Sequence, residues 1–273
     1  MKSTFVKEEI LAFKESWRYF SEKVREYGAH TGRLAYLFWD TLRYSFRRPF
    51  EWDKLLEYLE KLGVKSHGIV MLTFFFLGMV ITVQVAFARS NFAGRTIVGA
   101  AVAAGLVKEF GPLLTGLLVG GRVGSGMTAV IGSMSVTEQI DAIRSLGASP
   151  IKKLVVPRFL ATLIMMPILT IMGDFWGMVG GLVVAKLNLR MSTFQYINPA
   201  INSLAISDIT VGIVKSVFFA IIIAMVGCYN GFNVRHGAED VGNSTTNTVV
   251  ASFILIMIAD FFLTKLFVIF IGG

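Results

Sequence analysis

The chain is poor in charge and has almost no cysteine. Only 16% of its 273 residues are charged, whereas 54% are hydrophobic, and the mean hydropathy is +0.65. This composition excludes an ordinary soluble domain and is typical of an integral membrane protein. The single cysteine, Cys228, lies in an apolar run. It therefore offers neither a disulfide nor a cysteine metal cluster.

Nucleotide-binding motifs are also missing. Gly121, Gly124 and Gly126 superficially suggest a dinucleotide fingerprint, but a membrane helix rather than a strand precedes them. Residues 63–66 (GVKS) end like a phosphate-binding loop and lack its upstream glycine. We therefore expect no catalytic residue, metal or cofactor on this chain, and we expect any ATP to bind a separate polypeptide.

The N-terminal region is strongly charged. Residues 1–65 carry 13 of the 26 Lys and Arg residues and 10 of the 18 Asp and Glu residues, and no signal peptide is visible among them. Residues 1–27 form an amphipathic extension with an aromatic-rich stripe, which packs on protein or lies in the headgroup plane. Residues 28–65 form an interfacial helix region rich in Trp, Tyr and Arg.

Residues 66–273 form the membrane domain. Five apolar runs in it approach or exceed the roughly 20 residues needed to cross a bilayer: 68–88, 96–121, 159–185, 209–229 and 249–271. The predicted fold class is an all-α integral membrane protein with N-terminal amphipathic interfacial helices and five transmembrane helices. We find no internal repeat of the kind seen in many secondary transporters.

Orientation follows from the Lys and Arg residues of the loops. With the N-terminus in the cytoplasm, nineteen of them lie on the cytoplasmic side and four on the opposite side. The C-terminus then lies on the side opposite the cytoplasm. The formal net charge of +8 reflects this topology, and we expect no nucleic acid partner.

Residues 108–158 run from within the second span to the start of the third. After Gly121 we expect a polar, basic loop that contains a short amphipathic helix at 137–146, ended by Gly147 and Pro150. This cytoplasmic helix either lies on the membrane surface or couples the protein to a soluble ATPase. Asp141-Ala142-Ile143 loosely resembles the loop by which importer permeases dock their ATPases.

Several charged residues fall inside the predicted spans: Lys108, Glu109, Asp174, Lys215, Asp260 and Lys265. Each costs at least about 2.5 kcal/mol at the bilayer centre unless it is paired or hydrated. We expect Lys108 and Glu109 to face a cavity or a partner helix. The alternative is a structural pair, such as Lys215 with Asp260. On the first span, Ile81, Val85, Ala88 and Phe92 share one helical face, a spacing that more often reflects helix packing than a pocket.

Together, several ordered motifs resemble the MlaE-type permeases, the membrane subunits of ABC transporters that move lipids between membranes. The motifs are Lys108-Glu109-Phe110-Gly111-Pro112, Gly121-Arg122-Val123-Gly124-Ser125, Thr137-Glu138-Gln139, Pro157-Arg158, Lys215-Ser216, Tyr229-Asn230-Gly231 and Asp260-Phe261. The resemblance covers about residue 28 to the end. Lys108 stands where some members have Arg, which alters headgroup contacts.

The resemblance implies a homodimer in the bacterial inner membrane that encloses a lipid cavity. It implies phospholipid movement between this membrane and a periplasmic MCE-domain hexamer, which maintains outer-membrane lipid asymmetry, powered by a cytoplasmic ABC ATPase dimer. It leaves open whether a small STAS-domain subunit accompanies the ATPase. The implied lipid-binding residues are Ile81, Val85, Ala88, Phe92, Lys108, Glu109 and Lys215. The implied ATPase-coupling residues are Glu138, Gln139, Asp141, Arg144 and Gly147.

Two other functions fit parts of the sequence. An ion-coupled carrier would use Asp174 and Asp260, although the missing repeats speak against it. A non-transporting membrane scaffold would recruit a cytoplasmic partner through residues 122–158, and the charges inside the spans argue against that function.

Overall fold

The computed structural model describes residues 25, 28, 30–46, 51–88 and 97–271. The aromatic-rich stripe predicted within residues 1–27, and Phe92, lie outside the described residues. Within the described ranges the secondary structure is entirely helical, which confirms the predicted all-α class.

The helices are, in chain order, α1 (30–45), α2 (Trp52–Ala88), α3 (Ile97–Val136), α4 (Gln139–Ser145), α5 (Ile151–Leu187), α6 (Thr193–Ser203), α7 (Ile206–Asn233) and α8 (Gly237–Ile271). Helices α2, α3, α5, α7 and α8 are long and apolar enough to cross a membrane. Five spans were predicted, and this number is confirmed.

Two helices extend well past their predicted spans. Helix α3 continues to Val136, so the prediction of a polar loop directly after Gly121 is wrong. Helix α8 begins at Gly237, twelve residues before the predicted start of the fifth span at 249. Both extensions pack against the bundle through polar contacts, including one of 2.8 Å between the Thr128 and Thr248 hydroxyls. Hydropathy marks where the membrane ends, whereas side-chain contacts of this kind let the helix continue.

The connecting helices mark the two ends of the bundle. Helix α4 lies at one end with α1, whose His30 Nδ1 lies 2.6 Å from the Tyr229 hydroxyl of α7. Helix α6 lies at the other end and is absent from the sequence prediction. It begins with a capping box in which Ser192 and Gln195 exchange hydrogen bonds of 3.2 and 2.9 Å. Burial raises the pKa of the Tyr196 phenol in α6 above its ordinary value.

Glycines allow the spans to approach closely. A Cβ atom at Gly78 of α2 would overlap the backbone carbonyl of Gly177 in α5. On α3, the glycine row at 116, 120 and 124 faces side chains of α7 and α8, including Phe219, Ile223 and Ile256. These contacts set the register of α3 against its neighbours, and therefore the depth at which the polar side chains of the three helices meet.

Candidate functional site

A wide π-helical turn at Leu106–Phe110 organises the candidate site in α3. Pro112 follows it and has no N–H group to pair with the carbonyl of Lys108, four residues earlier. The helix widens at this point, and the free Lys108 carbonyl accepts a hydrogen bond from Lys215 Nζ at 3.2 Å. Turns of this type often lie at functional sites.

Lys215 of α7 is the centre of a polar cluster inside the membrane domain. Its side chain is fully buried, and its ammonium group lies 2.6 Å from a Glu109 carboxylate oxygen and 3.1 Å from a carboxylate oxygen of Asp260 in α8. It also donates to the Thr264 hydroxyl at 2.8 Å. The pairing of Lys215 with Asp260, considered from the sequence as a structural alternative, is therefore present.

Lys108 forms a separate ion pair at the site. Its ammonium group lies 2.9 Å from Asp208 near the start of α7, and 46% of the Lys108 side chain remains exposed. Lys108 therefore remains accessible to a ligand, whereas Lys215 is surrounded by its partners.

The Lys108–Asp208 and Lys215–Glu109 ion pairs border one cavity of about 260 Å³. Its lining combines the polar residues Lys108, Glu109, Ser207, Asp208, Lys215 and Thr264 with the apolar residues Val211, Phe267 and Val268. We call this space the charged cavity. It presents charges of both signs beside an apolar wall, which suits a ligand with a polar head and a hydrocarbon body.

The other site residues predicted from the sequence lie elsewhere. Ile81 and Val85 are half-buried against a separate cluster of core residues that includes Val70, Phe74 and Tyr196. Ala88 is exposed near the end of α2, and Lys265 is exposed on α8. Because the structure describes one copy of the chain, a role for the α2 residues in a cavity between two copies stays a prediction.

Asp174 also lies outside the charged cavity. Its Oδ1 atom is buried without a hydrogen-bond partner in the part of the chain that the structure describes. A Cβ atom at Gly111 would overlap this carboxylate, so glycine lets α3 pass beside it.

Asp208 and Thr264 belong to the charged cavity and were missed from the sequence. Asp208 is the third residue of α7 and stabilises the start of this helix, since its Oδ2 accepts a hydrogen bond from the Ala205 backbone N–H at 3.1 Å. Thr264 lies one helical turn after Asp260. Two polar residues at this spacing inside a span lie on the same helical face, and this feature of the sequence could have identified Thr264 as a site residue.

The short helix predicted at 137–146 is present as α4. Glu138 precedes it in a left-handed conformation at φ 58°, and Gly147 ends it at φ 74°, a backbone geometry that favours glycine. Ile140 is buried and anchors the helix. The proposed coupling residues Glu138, Gln139, Asp141, Arg144 and Gly147 are all exposed. A partner protein has access to them.

Comparison with known proteins identifies the family. The family model described as Permease MlaE matches residues 55–266, a range that includes every lining residue of the charged cavity except Phe267 and Val268. A probable ABC transporter permease protein of Rickettsia felis is 38% identical over 221 residues, which cover 81% of this chain and 85% of the relative. One from a Synechocystis species is 40% identical over 211 residues, covering 77% and 80%.

A plant protein is also similar. The chloroplastic protein TRIGALACTOSYLDIACYLGLYCEROL 1 of Arabidopsis thaliana is 36% identical over 216 residues, which cover 79% of this chain and 62% of the relative. From the five spans, the family model and these relatives, we conclude that the chain is a multi-pass membrane protein of the MlaE permease family, an ABC transporter permease.

Proposed function

We propose that this permease moves phospholipid between the bacterial inner membrane and a periplasmic MCE-domain carrier, and so maintains outer-membrane lipid asymmetry. The observation that carries the proposal is the charged cavity, which combines an accessible lysine, partly exposed carboxylates and an apolar wall. A phosphate group fits Lys108, and acyl chains fit Val211, Phe267 and Val268.

Lipid as the substrate class has separate support. The Arabidopsis relative carries the name of a diacylglycerol lipid. A small ion would need a hydrated, polar path, whereas the described spans are predominantly apolar around the charged cavity. A molecule with a small polar head and a large apolar body matches that distribution.

The proposal includes partners. A second copy of the chain would complete the lipid cavity, a cytoplasmic ABC ATPase dimer would bind ATP and dock on α4, and a periplasmic MCE hexamer would receive or deliver lipid. The N-terminus would be cytoplasmic and the C-terminus periplasmic. The exposed face of α4 and the positive-inside count support this arrangement.

The test is lipid transfer by the complex reconstituted in liposomes. We expect Lys108→Ala to slow ATP-dependent transfer of a fluorescent phospholipid by roughly tenfold, the loss of one charge-assisted contact. Glu109→Ala is expected to slow it too, because it removes an ion-pair partner of Lys215 at the cavity wall, and the ATPase should still co-purify with both variants. Lys265→Ala is the matched control, since it removes an exposed lysine from α8 at a position outside the cavity.

Several results would contradict the proposal. Unchanged transfer in both cavity variants would remove the charged cavity from the lipid path. Ion-driven transport without any ATPase would favour a carrier, and co-purification with an unrelated cytoplasmic protein alone would favour a scaffold.

A further inference from the structure

A second cavity of about 250 Å³ lies between α2, α3 and α5, in the half of the bundle nearer α4. Its lining residues are Tyr58, Lys61, Leu62, Lys65, Ser66, Arg122, Val123, Gly126, Met127, Val130 and Arg158. We call it the basic pocket. It shares no lining residue with the charged cavity, and along α3 its Arg122 lies about 21 Å from Lys108, at about 1.5 Å per residue.

The lining of the basic pocket carries four cations, and none of the described residues that line it is acidic. Two of the cations have partners. Lys61 pairs with the exposed Glu57, and Arg158 is buried, donating to the Leu154 carbonyl at 2.6 Å. Lys65 and Arg122 are exposed and form no ion pair within the described ranges of the chain. Lys65 and Arg122, two cations without an ion pair among the described residues, lie in the same pocket as the buried Arg158, and such a group of cations suits an anion.

A buried hydroxyl supplies an independent indication of a ligand. Ser66 is 1% exposed and lines the pocket, yet its Oγ atom has no hydrogen-bond partner among the described residues. A serine inside a helix usually bonds to the carbonyl four residues earlier, as Ser125 does with Gly121. An unsatisfied hydroxyl is costly to bury, and an anionic oxygen in the pocket would satisfy it.

The depth of the pocket favours a lipid over a free ion. Lys65 just precedes the first apolar run, Arg122 directly follows the second, and Arg158 directly precedes the third. All three therefore lie at the same edge of the apolar region, where headgroups lie. Beyond Lys65, the exposed apolar side chains Ile69, Leu72, Phe76 and Val80 follow one face of α2 at helical spacing. An acyl chain attached to a bound headgroup has a continuous surface on which to lie.

We propose that the basic pocket binds the phosphate-bearing headgroup of an anionic phospholipid from the leaflet at the α4 end, the cytoplasmic leaflet in the predicted orientation. In this arrangement Lys65 and Arg122 contact the phosphate and the Ser66 hydroxyl donates to it. Arg158 forms one side of the pocket, with its guanidinium carbon 4.8 Å from the centre of the Tyr58 ring. This site is separate from the charged cavity. The cavity presents both signs of charge, whereas the pocket presents cations.

The experiment counts lipids bound to the permease purified with its co-purifying subunits, by native mass spectrometry without ATP. The probes are phosphatidylglycerol, phosphatidylcholine and inorganic phosphate. We expect the double variant Lys65→Gln/Arg122→Gln to reduce the preference for phosphatidylglycerol over phosphatidylcholine roughly thirtyfold, since each cation near a membrane surface increases the affinity for an anionic lipid several-fold. Ser66→Ala removes a donor to the phosphate that both lipids carry, so it is expected to weaken the binding of phosphatidylglycerol itself about tenfold.

The matched control is Lys152→Gln/Lys153→Gln, which removes two cations from the same end of the bundle outside the pocket and should leave the preference unchanged. An unchanged preference in Lys65→Gln/Arg122→Gln, or an equal loss in the control, overturns the proposal. Displacement of the bound species by millimolar inorganic phosphate overturns the assignment to a lipid. Because the readout is binding without ATP, its outcome does not depend on whether the complex transports lipid.

Discussion

Replacement of Lys215 by methionine should destabilise the bundle far more than the same change at Lys108. Lys215 is fully buried between Glu109, Asp260 and Thr264. Methionine keeps most of the length of the side chain but leaves two carboxylates without their cation. Breaking a buried pair in this way costs about 3–5 kcal/mol. Because 40% of the Glu109 side chain is exposed, we expect the lower end, about 3 kcal/mol.

Lys108→Met is the matched comparison. The Lys108 side chain is 46% exposed, and solvent or headgroups screen its pair with Asp208. Such a pair contributes at most about 1 kcal/mol. The two variants remove the same charge from the same cavity, so the difference of about 2 kcal/mol isolates the effect of burial.

Cys228 provides the assay. It is the only cysteine of the chain and is fully buried, so a thiol-reactive dye labels it only when the bundle opens. Labelling of the permease band during a temperature ramp gives an apparent midpoint. The loss at Lys215 should lower that midpoint by about 6–12 °C, at roughly 2–4 °C per kcal/mol.

A fall of the midpoint by the same few degrees in both lysine variants would contradict the expected effect of burial. A second arm tests the cause. Adding Glu109→Gln to Lys215→Met removes one of the unpaired charges and should recover part of the loss. If the double variant is less stable than Lys215→Met alone, the unpaired carboxylate is not the source of the cost.

Two further predictions concern packing and topology. Gly78→Ala should lower stability by at least about 2 kcal/mol in the same labelling assay, since the new methyl group meets a backbone carbonyl of α5. Gly68→Ala, on the same helix with open space around it, should be neutral or stabilise by up to about 1 kcal/mol, and equal losses would contradict the packing. Gln139→Cys should react with an impermeant thiol reagent only from the cytoplasmic side. Labelling from the periplasmic side would reverse the proposed orientation.

Much of the architecture was predictable from local sequence. An apolar run of about 20 residues has to cross the bilayer as a helix, because its backbone has no other hydrogen-bond partner there. The five spans and the short helix between the second and third follow from that rule and from Gly147. The C-terminal end of α3 and the start of α8 could not be predicted from local sequence, because they depend on contacts between the two helices such as that of Thr128 with Thr248.

Most charged residues of the candidate site could be predicted from local sequence, whereas their pairing could not. Hydropathy is a local property, so it was enough to place Lys108, Glu109, Lys215 and Asp260 inside a membrane, where each needs a partner. The identity of the partners depends on the three-dimensional fold: Lys108 pairs with Asp208, and Lys215 pairs with both Glu109 and Asp260. Those pairs span three helices. Their meeting depends on the relative depth of α3, α7 and α8, which the close glycine contacts between the helices set and which no single stretch of sequence specifies.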